Sequence, residues 1–475
     1  MKKKMTRRDF LRIASIGTAS AIALSCGLIE EPLQNLTEEP DTVSNEIPQS
    51  DSSVRNVEVL VIGAGMSGLA AARTLVEKGM SVIVLEARNR IGGRTWTDSS
   101  LGLPLDLGAS WIHGITGNPI TKLAKEFNVD TVLTDYENGV LFDADGSEVS
   151  DSEYAEIEDL FESIYEEVAT MQEDTDTDMS LQQAFDAVVA ERDLSENEMR
   201  KLQFYIHQET ALEYGADPKD LSLWEWDQDE VFGGKDVVFP NGYSQITNGL
   251  SQGLDIRLNE KVTRISYGAD GVEVETSSGT FGGEKAIVTL PLGVLKQAAV
   301  KFEPSLPESK QAAIDRLSMG VLNKVYLKFP KIFWDEEIEN FGYLSESLGE
   351  WSDWMSFVPY AGVPVLMAFH GGEQGFAIED LSDDEIIAGA MKTLRVLYGD
   401  EIPEPEGWLI TRWGKDPYSL GAYSHIPPFA SGDDYDALFE PVNDVLYFAG
   451  EATSREYPAT QHGAYLTGVA AAENI

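Results

Sequence analysis

The most informative run in the chain is VEVLVIGAGMSGLAAARTLVEKGMSVIVLEARNRIGGR, residues 57–94. Val57-Glu58-Val59-Leu60-Val61-Ile62 has the pattern of a buried strand, Met66 to Lys78 is rich in Ala and Leu and predicts a helix, and Ser81 to Glu86 predicts a second strand. Together they make a βαβ unit. The turn between the first strand and the helix reads Gly63-Ala64-Gly65-Met66-Ser67-Gly68, a G-x-G-x-x-G in the setting that gives it meaning, and Glu86 closes the next strand about 20 residues on. Gly63 permits the tight turn, Gly65 lets backbone N–H groups approach a pyrophosphate, and Gly68 lets the helix pack close to the strand. The helix N-terminus adds partial positive charge for the phosphates, and Glu86 is placed to accept hydrogen bonds from a ribose. The unit predicts a dinucleotide-binding α/β domain.

Directly after Glu86 come Ala87 and Arg88-Asn89-Arg90-Ile91-Gly92-Gly93-Arg94, a second loop with glycines and arginines that a plain NAD site does not require. Further on, Phe239-Pro240-Asn241-Gly242-Tyr243 marks a turn before a helix. Ile256 to Val274 reads as two strands around a turn at 268–271, and Ala286 to Leu290 as another strand. Between about Asp151 and Leu212 the chain is acidic and helical. Residues 301–404 mix strands, at Asn323 to Phe329 and Val363 to Phe369, with a helix near Asp384 to Tyr398. Val445 to Ala449 reads as a strand, Gly450-Glu451 as a turn and Gln461 to Asn474 as a helix. The expected architecture is α/β: a Rossmann-like domain assembled from 55–135, 235–300 and 405–475, with an inserted mixed-sheet and helical α+β domain from 136–234 and 301–404. No internal repeat is visible.

Upstream, residues 1–26 carry the parts of a twin-arginine export signal: Lys2 to Lys4, the pair Arg7 and Arg8 followed by Asp9-Phe10-Leu11, and an apolar run from Ile13 to Leu24. That run falls short of the about 20 apolar residues a membrane-spanning helix needs. Twin-arginine signals accompany proteins exported already folded, often with a cofactor inside, so the expected partner is the twin-arginine machinery and the expected location is outside the cytoplasm. Cys26 stands where a lipoprotein signal places its acylated cysteine, although Ala23-Leu24-Ser25 is an imperfect lipobox. A lipid-anchored and a free periplasmic form both stay open. Residues 27–54, rich in Glu, Asp, Ser and Pro, read as a disordered acidic tether.

The net charge of −46, from 35 Lys plus Arg against 81 Asp plus Glu, argues against nucleic acid as a partner and permits cationic ones. Cys26 is the only cysteine, so no intramolecular disulfide or cysteine metal site can form, and the five histidines show no HExxH and no i,i+4 pair. No metal is expected.

GAGMSGLAAARTL, LEARNRIGGR and DLGASWIHG, and further on NGYSQI, TLPLGVLK, LNKVYLKFPKIFWD and FAGEATSREYPATQHGAYLTG, resemble the flavin-containing amine oxidases, closest to the polyamine oxidase branch. The resemblance runs from residue 55 to the end. It implies FAD, and no second G-x-G-x-x-G is present for NAD(P)H. The implied FAD contacts are Gly63, Gly65, Met66, Ser67, Gly68, Glu86, Ala87, Arg88, Gly92, Gly93 and Arg94, then Gly108, Ala109, Ser110 and Trp111, then Val262, Trp413, Gly450, Glu451 and Thr460. Monoamine oxidases carry the cysteine that links FAD covalently where this chain has Ala422, so the resemblance implies non-covalent FAD.

Lys324 interrupts the apolar strand around it and must be paired, functional or at an edge reaching solvent. The family's matching lysine holds a water near flavin N5. Tyr423 matches one wall of the aromatic cage that guides amines, or is a core tyrosine with a bonded hydroxyl. Thr460 stands where monoamine oxidases have the second tyrosine. His113 resembles a residue near the substrate nitrogen, or is a structural hydrogen-bonder. Glu213 aligns with an acid that holds a distal ammonium, or is one more acid on an acidic helix; Trp111 and Tyr457 complete the implied substrate contacts. The reaction implied is hydride transfer from an amine α-carbon to FAD, hydrolysis of the imine and reduction of dioxygen to hydrogen peroxide, with spermine or spermidine as substrate. An L-amino-acid oxidase would need a cation for the carboxylate, and Ser110-Trp111-Ile112-His113 offers no arginine there. A monoamine oxidase and a polyamine-binding flavoprotein without turnover are the remaining alternatives.

Overall fold

The computed structural model describes residues 55–136 and 138–475; the expected export signal, Cys26 and the acidic tether lie outside the described residues. The first strand, Arg55–Ile62, is central in its sheet. It pairs in parallel with Val82–Leu85 on one side and Thr280–Val288 on the other, because its residues are apolar on both faces and must be covered on both. Ile256–Arg257 extends the sheet beyond Val82–Leu85, and Leu446–Phe448 pairs in parallel with the C-terminal half of Thr280–Val288. The N-terminal half of that long strand instead pairs with Gly271–Thr276, the second arm of a hairpin whose first arm is Val262–Gly268. The span from Ile256 to Val274 therefore holds three strand segments, not two. Its first piece joins the parallel edge and the others turn at Gly268–Gly271.

Helix Met66–Glu77 covers one face with Leu69, Ala71, Ala72 and Leu75, and packs there on Ala464, Ala471 and Ala472 of the C-terminal helix Gln461–Glu473. The small residues let the two helices approach closely. Chain ends more than 380 positions apart thus build one nucleotide-binding unit, as the strand-turn-helix patterns at both ends predict.

A second sheet has the order Gly407–Ile410, Leu322–Lys328, Val365–Gly371, Asp353–Ser356, Asn340–Tyr343, Gly139–Phe142. One face, through Val325, Leu327, Leu366, Ala368 and Trp354, is buried under Ile386, Ala390, Met391 and Leu394 of helix Asp383–Tyr398. The other face looks onto a cavity. Helices Asp151–Asp174, Leu181–Val189 and Glu196–His207 form their own core around Ile164, Phe185 and Leu202 beside this sheet.

Sheet membership corrects two expected segment ends. Lys301–Glu303 pairs with the hairpin of the nucleotide-binding sheet, and Glu308–Arg316 packs through Ile314 on Leu292, Tyr435 and Leu438, so this unit runs past 300. Gly407–Ile410 pairs with Leu322–Lys328, so the second unit runs past 404. Both strands are short edge strands placed by distant partners.

Burial holds four histidines neutral: His207 and His425 are pushed down to about 4, and His370 and His462 to about 3, from an ordinary 6.5. A depressed value means that the unfolded chain binds more protons, so this contribution to stability is complete above about pH 6.5 and is lost as the pH falls toward the folded values. The melting temperature is expected to fall steadily on acidification below pH 6.5. Each histidine contributes up to about 1.4 kcal/mol per pH unit, and scanning calorimetry from about pH 7 to about pH 5 checks it.

Candidate active site

The glycine turn has the geometry its sequence requires. Gly63 has φ +106°, and a Cβ on Gly68 would lie 1.9 Å from the Gly63 carbonyl oxygen, so the helix sits against the turn only because position 68 has no side chain. Gly65 faces open space, with nothing within 4 Å of where its Cβ would be. One carboxylate oxygen of Glu86 accepts the Ala64 N–H at 2.8 Å and the other accepts the Arg88 N–H at 2.8 Å. The second loop docks on the first through the Gly92 N–H, which donates to the Ala64 carbonyl at 2.8 Å.

These loops border a continuous cavity of about 2010 Å³, larger than the ~300–1,000 Å³ of ordinary small-molecule sites. Of the expected FAD residues, all but Gly68 reach its wall, and Gly68 acts by letting the helix approach. Several charged groups there are already engaged. Arg88 makes a forked pair with Asp416 at 2.6 and 2.9 Å and lies over the Tyr418 ring, so its guanidinium ties the 416–419 loop to the second loop. Arg94 donates to the Ala422 carbonyl at 2.9 Å and to Glu451 at 2.8 Å, while the other Glu451 oxygen accepts from Ser424 and from the Ala459 N–H. The Glu451 carboxylate is thus a clasp between segments.

Lys324 is 3% exposed, in a strand flanked on both sides, which overturns an edge lysine reaching solvent. Its Nζ donates to the Asp106 carbonyl at 3.1 Å, the Gly108 carbonyl at 2.6 Å and the Ser110 hydroxyl at 2.6 Å. Burial pushes its ammonium down, and the nearby Asp106 carboxylate opposes this. Burial pushes Asp106 up in turn, against hydrogen bonds from Thr97 and the Tyr243 N–H. Nζ lies 5.4 Å from the Trp111 ring and 5.9 Å from the Phe369 ring, and Trp413 is anchored beside it by Nε1 donating to the Leu107 carbonyl at 3.1 Å.

His113 stacks 6.2 Å from Trp111, and its Nδ1 is 2.8 Å from Asp236. Burial pushes Asp236 up, but His113, the Gly114 N–H and Tyr136 outweigh it and hold the carboxyl below its usual value. Tyr423, half-buried on the wall, donates its hydroxyl to the Leu212 carbonyl at 3.1 Å, so it is at once a wall residue and a bonded tyrosine. Glu213 is exposed and borders the cavity. Thr460 caps the last helix: its hydroxyl accepts the Gly463 N–H and donates to the Tyr457 carbonyl, each at 2.9 Å. Tyr457 stacks its ring on Phe232 at 4.8 Å, and it is Phe232 that borders the cavity.

Beyond Lys324 the chamber is acidic. Helix Asp151–Asp174 presents Asp151, Glu158, Asp159 and Glu162 to it from one face, and burial together with Glu162 and Asp159 raises Glu158. Gln208–Leu212 is a π-helical turn that brings Gln208, Glu209 and Leu212 to the wall. Sequence reasoning missed Thr289, Leu290 and Pro291, which border the cavity at the end of Thr280–Val288; the strand-turn-helix pattern of 286–296 was their signal. It also missed Asp353 and Phe369, for which no local pattern exists. Among the described residues no group of three or more His, Cys, Asp or Glu stands ready to hold a metal ion.

A dinucleotide trough continues into an aromatic and acidic chamber, and the chain belongs to the flavin containing amine oxidoreductase family, whose sequence model matches residues 66–475. It is an FAD-dependent amine oxidoreductase. Among curated relatives it is 39% identical over 435 residues to polyamine oxidase 2 of Arabidopsis thaliana, covering 88% of each chain, and 38% identical to polyamine oxidase 4 of Oryza sativa subsp. japonica, covering 87% and 88%. It is also 38% identical to lysine-specific histone demethylase 1 homolog 1 of that rice, spanning only about half of that protein (52%). Its fold matches a redesigned putrescine oxidase with a TM-score of 0.72 at 21% identity, covering 89% of this chain and 99% of that one.

The wall fits FAD. The Ser67 hydroxyl, at the start of the first helix, is buried without a partner beside the open face of Gly65, where a pyrophosphate needs donors. The Trp111 Nε1 is likewise buried and unpartnered.

Proposed function

We propose that the chain is a polyamine oxidase that holds FAD without a covalent bond and works outside the cytoplasm. The observation that carries the substrate class is the acid-walled chamber continuous with the Lys324, Trp111 and Phe369 end of the nucleotide trough. Acids focus cationic substrates into such a cleft. Trp111, Phe369 and Tyr423 supply ring faces for an alkylamine once it has arrived. His113 commits Nδ1 to Asp236, so Nε2 is the ring nitrogen that takes a proton from a substrate ammonium, leaving the neutral amine from which hydride can depart. Bound FAD supplies the hydride acceptor and, with dioxygen, the route to peroxide. Lys324 holds Gly108 and Ser110 in place, and its ammonium is the cation nearest Trp111 among the described ring contacts.

Ala422, and the absence of any cysteine after Cys26, support non-covalent FAD. Denaturation in guanidinium followed by filtration should release all flavin. Arg7 and Arg8 support export; a double Arg→Lys variant should remain in the cytoplasm. The substrate class is tested by peroxide release from the FAD-loaded protein with spermine, spermidine, phenylethylamine and L-leucine, and mass spectrometry of the products. Peroxide with polyamines is expected. Peroxide with L-leucine alone would move the assignment to an amino-acid oxidase.

A further inference from the structure

The face of the second sheet that carries Lys324 continues past the chamber. Lys324 is registered opposite Phe369, and two residues along each strand Tyr326 lies opposite Met367 and Met367 opposite Met355. Side chains two apart share a face, and strands rise about 3.3 Å per residue, so this second row stands roughly 7 Å from the first. Met355 and Met367 border a separate cavity of about 40 Å³, walled also by Leu103, Pro104 and the segment Val238-Phe239-Pro240. Its wall reaches from solvent to the active site. Ala361 is exposed and Pro240 and Phe357 are partly so, whereas Ser110, Trp111 and Met355 belong equally to the wall of the large chamber.

The small cavity offers a solute almost nothing polar. The Asp106 carboxylate is taken by the Thr97 hydroxyl at 2.5 Å and the Tyr243 N–H at 2.9 Å, and the Ser110 hydroxyl by Lys324 Nζ at 2.6 Å. The Tyr360 hydroxyl donates to Glu339. That leaves the unpartnered Trp111 Nε1, a single partner where a buried water makes about three. The volume is about three times the ~10–15 Å³ that one water needs, so a small solute fits where water is poorly held. An ammonium would lose its hydration there with the one acid already bonded, which costs free energy. A small apolar molecule gains by entering.

We infer that this cavity admits dioxygen to the active site, leaving the acid-walled chamber to the amine. The inference rests on the oxidase chemistry above, in which two electrons and two protons pass from the reduced flavin to dioxygen and give hydrogen peroxide. Separate entrances let dioxygen arrive while the amine product still fills the chamber.

The test uses the FAD-loaded protein as wild type, as Met367→Phe, which adds bulk inside the cavity, and as Ala361→Trp, which adds it at the exposed edge. Neither residue borders the large chamber. Crystals pressurised with xenon are expected to show xenon in the wild-type cavity and none in Met367→Phe. With flavin photoreduced in the absence of amine and mixed with oxygenated buffer, the second-order reoxidation constant is expected to fall about fivefold or more in each variant, while anaerobic reduction by spermine stays within about twofold of the wild type. Ordered water in place of xenon in the wild type would overturn the inference. So would reoxidation that is unchanged in either flavin-loaded variant, or slowed only in step with reduction by spermine. Should Met367→Phe lose its flavin, Ala361→Trp, at an exposed position, decides alone. Photoreduction needs no amine, so a protein whose flavin no amine reduces would fail the polyamine reading while the reoxidation constants still decide this one.

Discussion

Replacing Lys324 by methionine is expected to slow amine-dependent flavin reduction by two orders of magnitude or more, within the range of about 10²–10⁴ for groups that handle protons at a reacting centre. Methionine matches the length and apolar stem of lysine, so the strand Leu322–Lys328 keeps its packing between Val365–Gly371 and Gly407–Ile410. What is lost is the ammonium that joins the Asp106 and Gly108 carbonyls to the Ser110 hydroxyl beside Trp111. Two readouts separate this from simple damage. Flavin content should stay near one per chain, and the limb of the wild-type pH profile that belongs to an ammonium held down by burial should vanish. A protein that only stores polyamine would bind spermine equally well in both forms and show no rate to lose.

Gly68→Ala is expected to lower flavin content about tenfold or more. The added carbon would stand 1.9 Å from the Gly63 carbonyl oxygen and 3.1 Å from the Thr289 hydroxyl, and the first of these is backbone and cannot rotate away. The turn must move, and with it the Ala64 N–H that reaches Glu86 and the Ser67 hydroxyl that fits a phosphate. Overpacking of this kind costs roughly 1–3 kcal/mol, so the protein should still fold. Gly268→Ala is the control, since its added carbon meets nothing within 4 Å. Absorbance at the flavin maximum against protein concentration reads both variants; full flavin in Gly68→Ala would contradict the role given to this contact.

The parts of the fold legible in sequence were those whose signal is local. An apolar run, a glycine turn and an Ala-rich helix announce the first βαβ unit within 30 residues, and a Gly-Ala-Asp-Gly turn announces the hairpin at 268–271. Lys301–Glu303 and Gly407–Ile410 were assigned to the wrong unit because an edge strand of three or four residues takes its place from a distant partner. The site divides the same way. Lys324 stands out as a charge in an apolar strand, and its burial follows. Arg88 reads like a phosphate ligand, yet its partner Asp416 is 328 positions away and claims the guanidinium. Tyr457 shares a motif with the wall residues Ala459 and Thr460 but turns its ring onto Phe232. Asp353 looks like any surface acid until the sheet register sets it two strands from Lys324.

The most direct test of the account is anaerobic stopped-flow of the FAD-loaded chain mixed with spermine, spermidine, phenylethylamine and L-leucine while the flavin absorbance is followed. Rapid bleaching by the polyamines, with slow or no bleaching by phenylethylamine and L-leucine, is the predicted result. Bleaching by L-leucine in preference to the polyamines, or by none of the four, would contradict it.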